Sequence, residues 1–171
     1  HDGNLVNMTM PINGQGAKLK GIEFAYKTAF TFLPGPLKGL GIDTNYTWST
    51  ADNSGLYSQL DGSELPFPGL SKDSYNISLW YDKGPLNARL AYNSRSDYLV
   101  TAADLSGKPV YRDGSSYLDG KITWRARYGV SFFIEGKNLT GTAERSTSGD
   151  IRLNEIAWPG KRVFVGVTFK R

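Results

Sequence analysis

The chain has 171 residues, a formal net charge of +4 and no cysteine. That length allows one domain with a real core, and the missing cysteines exclude a disulfide framework and a cysteine-ligated metal. Apolar residues make up 39% of the chain and no run approaches the roughly 18 residues of a membrane helix, so helical spanning is excluded. Alternating strands halve their own mean hydropathy, so the value of −0.39 leaves a membrane β-barrel open. Lys and Arg are scattered rather than clustered, which argues against nucleic acid as a partner.

In chain order, seven segments alternate with the period of two that places successive side chains on opposite faces of a strand. Ile22, Phe24, Tyr26, Phe30 and Phe32 share a face opposite Glu23, Ala25, Lys27, Ala29 and Thr31. Pro34-Gly35-Pro36 then breaks the chain. Leu40, Ile42, Tyr46 and Trp48 follow, and after a polar stretch come Tyr75, Ile77, Leu79 and Tyr81. The tight turn Asp82-Lys83-Gly84-Pro85 leads to Leu86, Ala88, Leu90 and Tyr92. Leu118, Ile122 and Trp124 form the next apolar face, and a turn at Arg127-Tyr128-Gly129 gives Val130, Phe132 and Ile134. The chain closes on Val163, Val165, Val167 and Phe169. Residues around Leu5 and Met8, before Pro11, read as the end of an eighth strand.

Charge obeys these faces. Glu23, Lys27, Asp43, Arg89, Asp119, Lys121 and Glu135 all lie opposite the apolar positions, which carry no charge. Connections alternate in length: short near 34–38, 82–85 and 127–129, long near 49–72, 95–115 and 139–160. An up-and-down antiparallel sheet with one tight rim and one loop-rich rim follows, as in outer-membrane barrels. Aromatics on the apolar face fall toward both rims, Tyr46, Trp48, Tyr75 and Tyr92 at one and Phe30, Phe32, Tyr81, Trp124 and Phe169 at the other. Trp80, Phe133 and Phe164 are exceptions on the opposite face. A soluble lipocalin-like barrel with its apolar face inward, and a small structural or adhesive outer-membrane barrel, are the alternatives.

Three stretches carry a family resemblance. LKGIEFAYKTAFTFLPGPLKGLGIDTNYTWSTAD (Leu19–Asp52), LPFPGLSKDSYNISLWYDKGPLNARLAYNSRSDYL (Leu65–Leu99), and FIEGKNLTGTAERS with PGKRVFVGVTF (Phe133–Ser146, Pro159–Phe169) resemble barrel segments of TonB-dependent outer-membrane receptors. The resemblance implies that residues 1–171 are the C-terminal portion, a third or so, of a 22-stranded barrel, without the plug domain or N-terminal strands. It implies a bacterial outer-membrane location and uptake of a scarce nutrient such as a siderophore or oligosaccharide. Implied partners are lipid and lipopolysaccharide, the barrel-assembly machinery, the receptor's own plug and, through it, TonB. Family members commonly end on an aromatic residue read by that machinery; here Phe169 would serve, although Lys170 and Arg171 follow it. The opening His1 and the lack of a signal-peptide pattern suit a mature form or a piece of a longer protein.

Nothing in the sequence points to catalysis or a cofactor. The single histidine is His1, and no carboxylate pair has a spacing that suggests acid–base work. Asp52, Asp61 and Glu64 read as a solvated polar loop rather than a cation site. Four Asn-x-Ser/Thr triplets, at Asn7, Asn45, Asn76 and Asn138, read as coincidence and as the NYT and NLT motifs of the resemblance. The seven charges opposite the apolar face are expected to line a lumen, mostly pairing with one another. Tyr57, Tyr98, Tyr111, Arg95, Arg112, Arg145 and Trp158, in the long loops, are the candidate contacts for a small ligand.

Overall fold

The computed structural model describes residues 16–149 and 151–170. The expected strand end near Leu5 and Met8, the Asn7 triplet, His1 and Arg171 lie outside them. Seven antiparallel strands form one sheet: β1 (Lys18–Ala29), β2 (Leu40–Asp52), β3 (Asp73–Lys83), β4 (Leu86–Arg95), β7 (Ser115–Arg125), β8 (Val130–Lys137) and β11 (Arg162–Phe169), neighbours in that order. Between them, β5 (Tyr98–Thr101), β6 (Val110–Arg112), β9 (Glu144–Ser148) and β10 (Arg152–Ala157) form a second sheet in the order β10-β9-β6-β5. The seven strands expected between Ile22 and Phe169 are present, and the alternation of short and long connections holds.

The register joins the apolar positions into one continuous face. Phe24 faces Tyr46, Ile42 faces Leu79, Leu79 faces Leu90, Ile122 faces Ile134, and Ile134 faces Val165. This face is bare: Ile22 is 68% exposed, Trp124 60% and Val165 76%. Such a contiguous apolar surface is far beyond what a soluble monomer leaves uncovered. The sheet therefore has no hydrophobic core of its own among the described residues. The buried apolar side chains, Leu65, Leu99 and Val110, all sit in the long connections instead.

Two sequence expectations are corrected. The first strand was expected to run through Phe30 and Phe32, but β1 ends at Ala29. The Thr31 and Leu33 amides turn back on the carbonyls of Ala29 and Phe30, so the alternation continues through a turn rather than a strand. The second and third long stretches were expected as loops, yet they supply the four strands of the second sheet. At the loop-rich rim β1 and β2 also run further than their apolar residues. There the apolar face gives way to Lys18, Lys20, Asp52 and Asp73, with Lys20 paired to Asp52 and the Tyr46 hydroxyl donating to Asp73 at 2.7 Å.

The three aromatic exceptions on the polar face acquire a reason for two of them. Trp80 pairs across the strands with Gly41 and lies over it, so that a Cβ at Gly41 would fall 2.1 Å from the indole. Phe133 covers Gly166 in the same way, at 2.5 Å. On the apolar face Leu139 folds back over Gly136, where a Cβ would meet its Cδ2 at 2.6 Å. Phe164 has no glycine opposite; it faces Glu135 and stays half exposed. Gly41→Val should therefore push Trp80 off the sheet at a cost of about 1–3 kcal/mol, the usual range for overpacking. A red-shifted Trp80 emission together with a lowered urea midpoint would register it.

Candidate functional site

Two surfaces could meet a solute: the polar face of the large sheet and the loop cluster at its loop-rich rim. The polar face is built by the same alternation that makes the other face apolar. Its charges pair where the register sets them side by side. Lys27 meets Asp43 at 3.6 Å, Lys121 meets Glu135 at 3.2 Å, and Lys137 bridges Asp119 and Glu135, both at 3.2 Å. Glu23 accepts the Asn45 amide at 2.6 Å, and Arg89 donates to Ser78 at 3.0 Å. Each of the seven predicted charges thus has a polar partner. Pairs this exposed contribute no more than about 1 kcal/mol each, so they shape a wet wall rather than hold the fold. Lys137 was missed because it ends its strand, beyond the last apolar residue used to set the register.

The loop candidates divide by what they touch. Arg95 is a staple: its Nε donates to Ser71 Oγ at 2.8 Å and its Nη2 to the Gly69 carbonyl at 3.0 Å. Its guanidinium lies 3.9 Å over the Tyr98 ring. Arg112 holds Glu144 at 2.6 Å and Glu155 at 3.3 Å, and Tyr117 donates to the same Glu144 at 2.7 Å. Arg145 reaches Asp113 only at 4.0 Å. Tyr111 lines an open hollow with Asp97, Asp113 and Thr147. Tyr57 is 61% exposed beside its bridge to Glu64, Trp158 is 71% exposed, and Phe169 faces Val130 at the far end of β11. Tyr98, Tyr111, Arg112 and Arg145 come together on the second sheet; Tyr57 and Trp158 stand apart. The Asp52, Asp61 and Glu64 carboxylates take separate partners, in Lys20, Ser63 and the Ser54 amide.

The quoted motifs prove to be tie points. In Pro68-Gly69-Leu70-Ser71 the Gly69 amide donates to the Leu99 carbonyl and Ser71 Oγ to the Ser96 carbonyl, tying the first long connection to the next. In Asn138-Leu139-Thr140 the asparagine is 3% exposed with φ of 51° and holds the start of the third. Asp104 organises the second: it accepts the Ser106 and Lys108 amides at 2.7 and 3.1 Å and the Ser148 hydroxyl of β9 at 2.5 Å. These bonds, Ser148 first, with nearby Arg152, hold its carboxyl below the usual carboxylate range. A depressed carboxylate stabilises the fold above its ordinary unfolded value, and that contribution is lost as pH falls through the lowered one. The protection of the Ser106 and Lys108 amides, taken relative to their intrinsic exchange rates, should fall on acidification through that window, and Asp104→Asn should remove this pH dependence of protection.

The comparisons bear on the whole arrangement. The family model for TonB dependent receptor-like beta-barrels matches residues 2–139. The chain belongs to this family. The crystal structure of the siderophore receptor PiuA from Acinetobacter baumannii is similar in fold, with a TM-score of 0.64 at 15% identity over 90% of this chain. The match takes in 22% of that receptor, so this chain spans about a fifth of its length. No curated protein sequence matches the chain. The seven-stranded sheet is thus a segment of a TonB-dependent receptor barrel, and its two outermost strands, β1 and β11, each keep one unpaired edge among the described residues.

Proposed function

We propose that residues 1–171 are the C-terminal portion of the barrel of a bacterial outer-membrane receptor that takes up a scarce nutrient, a siderophore, oligosaccharide or similar solute. The observation that carries this reading is the segregation of faces: a bare apolar surface on one side, an ion-paired polar wall on the other. In this reading the apolar face meets lipid, and the charged rim at Lys18, Lys20 and Asp73 meets lipopolysaccharide head groups. Glu23, Lys27, Asp43, Arg89, Asp119, Lys121 and Glu135 line the lumen, facing a plug domain outside this chain. TonB energises uptake through that plug, and the assembly machinery reads Phe169. The chain's work is to bind and conduct rather than to make or break bonds.

Deleting the gene should abolish high-affinity uptake of the nutrient, and removing TonB should do the same with the gene intact. Uptake that persists at full rate without TonB would contradict the proposal.

A further inference from the structure

We propose that the short-turn rim of the large sheet is a docking belt for anionic phospholipid head groups, held by the cations Lys38, Arg127 and Lys170. This rests on the membrane reading above and is independent of which nutrient the receptor takes up.

Basic residues are scattered along the sequence, and the strand order gathers some of them. The connection from β1 to β2 brings Lys38, the turn after β3 brings Lys83, the end of β7 and its turn bring Arg125 and Arg127, and the end of β11 brings Lys170. Neighbouring strands lie about 4.8 Å apart, so these segments occupy roughly 25 Å of one edge. The Lys170 amide donates to the Gly129 carbonyl at 2.8 Å, which sets Lys170 beside the turn that carries Arg127. Against these five cations the rim has one carboxylate among the described residues, Asp82. The opposite rim is balanced. Residues 16–20, 52–73, 95–113 and 144–161 hold nine cations and nine carboxylates among those described. The polar wall between the rims is nearly balanced too, with five against four. The basic excess therefore belongs chiefly to the short-turn rim.

Two of the five cations are engaged. Asp82 takes Arg125 at 3.2 Å, and Lys83 Nζ donates to the Gly35 carbonyl at 2.5 Å. Lys38, Arg127 and Lys170 are exposed and have no side-chain partner among the described residues. Their surroundings select the anion. Phe32, Leu37, Tyr128 and Phe169 are exposed on the same rim, where the apolar face ends. Cations beside bare aromatic rings suit the depth of lipid head groups, with the rings toward the acyl chains and the charges on the phosphates. A soluble anion would leave those rings in water. In outer-membrane barrels the short turns face the periplasm, so the lipid is an anionic phospholipid of the inner leaflet.

The test uses the full-length receptor with Trp124 as its only tryptophan, reconstituted into dioleoylphosphatidylcholine vesicles. Trp124 lies one residue before Arg125 and faces Phe132 on the apolar side, so it reports the lipids at this rim. Brominated phosphatidylglycerol should compete for that position about fivefold better than brominated phosphatidylcholine, the effect of one cation near an anionic surface. Arg127→Gln with Lys170→Gln should bring the two lipids close to parity. Lys72→Gln with Lys161→Gln removes the same charge at the loop-rich rim and should leave the preference unchanged. Salt at about 1 M, with a screening length of about 3 Å, should abolish the preference in the unaltered protein. Equal quenching by the two lipids at low salt overturns the proposal and leaves the receptor reading intact. So does a preference that survives the Arg127, Lys170 variant or high salt, or one that the Lys72, Lys161 variant removes as fully. Quenching by neither lipid would overturn the membrane reading itself, and this proposal with it.

Discussion

Val165→Arg is expected to destabilise the assembled barrel by about 2–4 kcal/mol, the cost of an arginine facing lipid near the bilayer midplane. Val165 sits in the middle of β11, faces Ile134 across the strand pair and is 76% exposed on the apolar side. Thr123→Arg is the matched control. Thr123 lies on the polar face between Asn87 and Phe133, where an added cation meets water and the neighbouring charge pairs. Its effect should stay within about 0.5 kcal/mol, as for surface changes generally. Urea unfolding of the full-length barrel refolded into bilayers measures both. Equal effects at the two positions would mean that neither face is lipid.

The second large effect belongs to Asn138. Its backbone amide donates to Asp119 Oδ1 at 2.9 Å, its Nδ2 to the Thr142 and Gly160 carbonyls at 3.0 and 3.3 Å, and its Oδ1 accepts the Thr142 amide at 2.9 Å. The side chain thereby closes the turn that directs Leu139 back over Gly136 and anchors the far end of the same long connection at Gly160. Asn138→Ala removes every side-chain bond, to a half-buried Thr142 and an exposed Gly160, at about 0.5–1.5 kcal/mol apiece. It also forces a β-carbon without the compensating amide into the left-handed region, which costs roughly 1–2 kcal/mol. A total of about 3 kcal/mol or more is expected. Asn138→Gly should recover only the conformational part and so fall roughly 1 kcal/mol short of the alanine variant. Urea midpoints rank the two, and protease cleavage within 142–160 should rise in both. If glycine and alanine destabilise equally, the positive φ carries no cost and the hydrogen bonds alone account for the residue.

The seven long strands were legible because one face is uniformly apolar and the other never is. Membrane strands show period two without interference from a tertiary core. Legibility failed where that contrast stops. Phe30 and Phe32 keep the alternation going through a turn, so the first strand was read too long at one end. At its other end Lys18 and Lys20 break the pattern although the ladder continues. The second sheet left no periodic trace. β6 is only Val110–Arg112, bulges interrupt the pairing at Leu99/Thr101 and at Leu153/Glu155, and β6 pairs with β9 from a different connection.

The site residues divide the same way. Lumen-side charges follow from parity alone, whereas the work of Arg95 depends on Gly69 and Ser71, far away in the chain. Trp80 and Phe133 are exceptions to the alternation that only their cross-strand glycines, Gly41 and Gly166, account for. In each case the missing information was which strand lies beside which, and at what offset.

The central claim, that the apolar face meets lipid and the polar face does not, is tested most directly by two tryptophans the chain already places on opposite sides. Trp124 lies on the apolar face opposite Leu86 and Phe132, and Trp80 lies on the polar face over Gly41. In full-length protein reconstituted into bilayers of brominated lipid, with all other tryptophans replaced by phenylalanine, each is examined singly. Quenching of Trp124 with Trp80 unaffected is the predicted result. Quenching of Trp80 with Trp124 spared, or of neither, would contradict it.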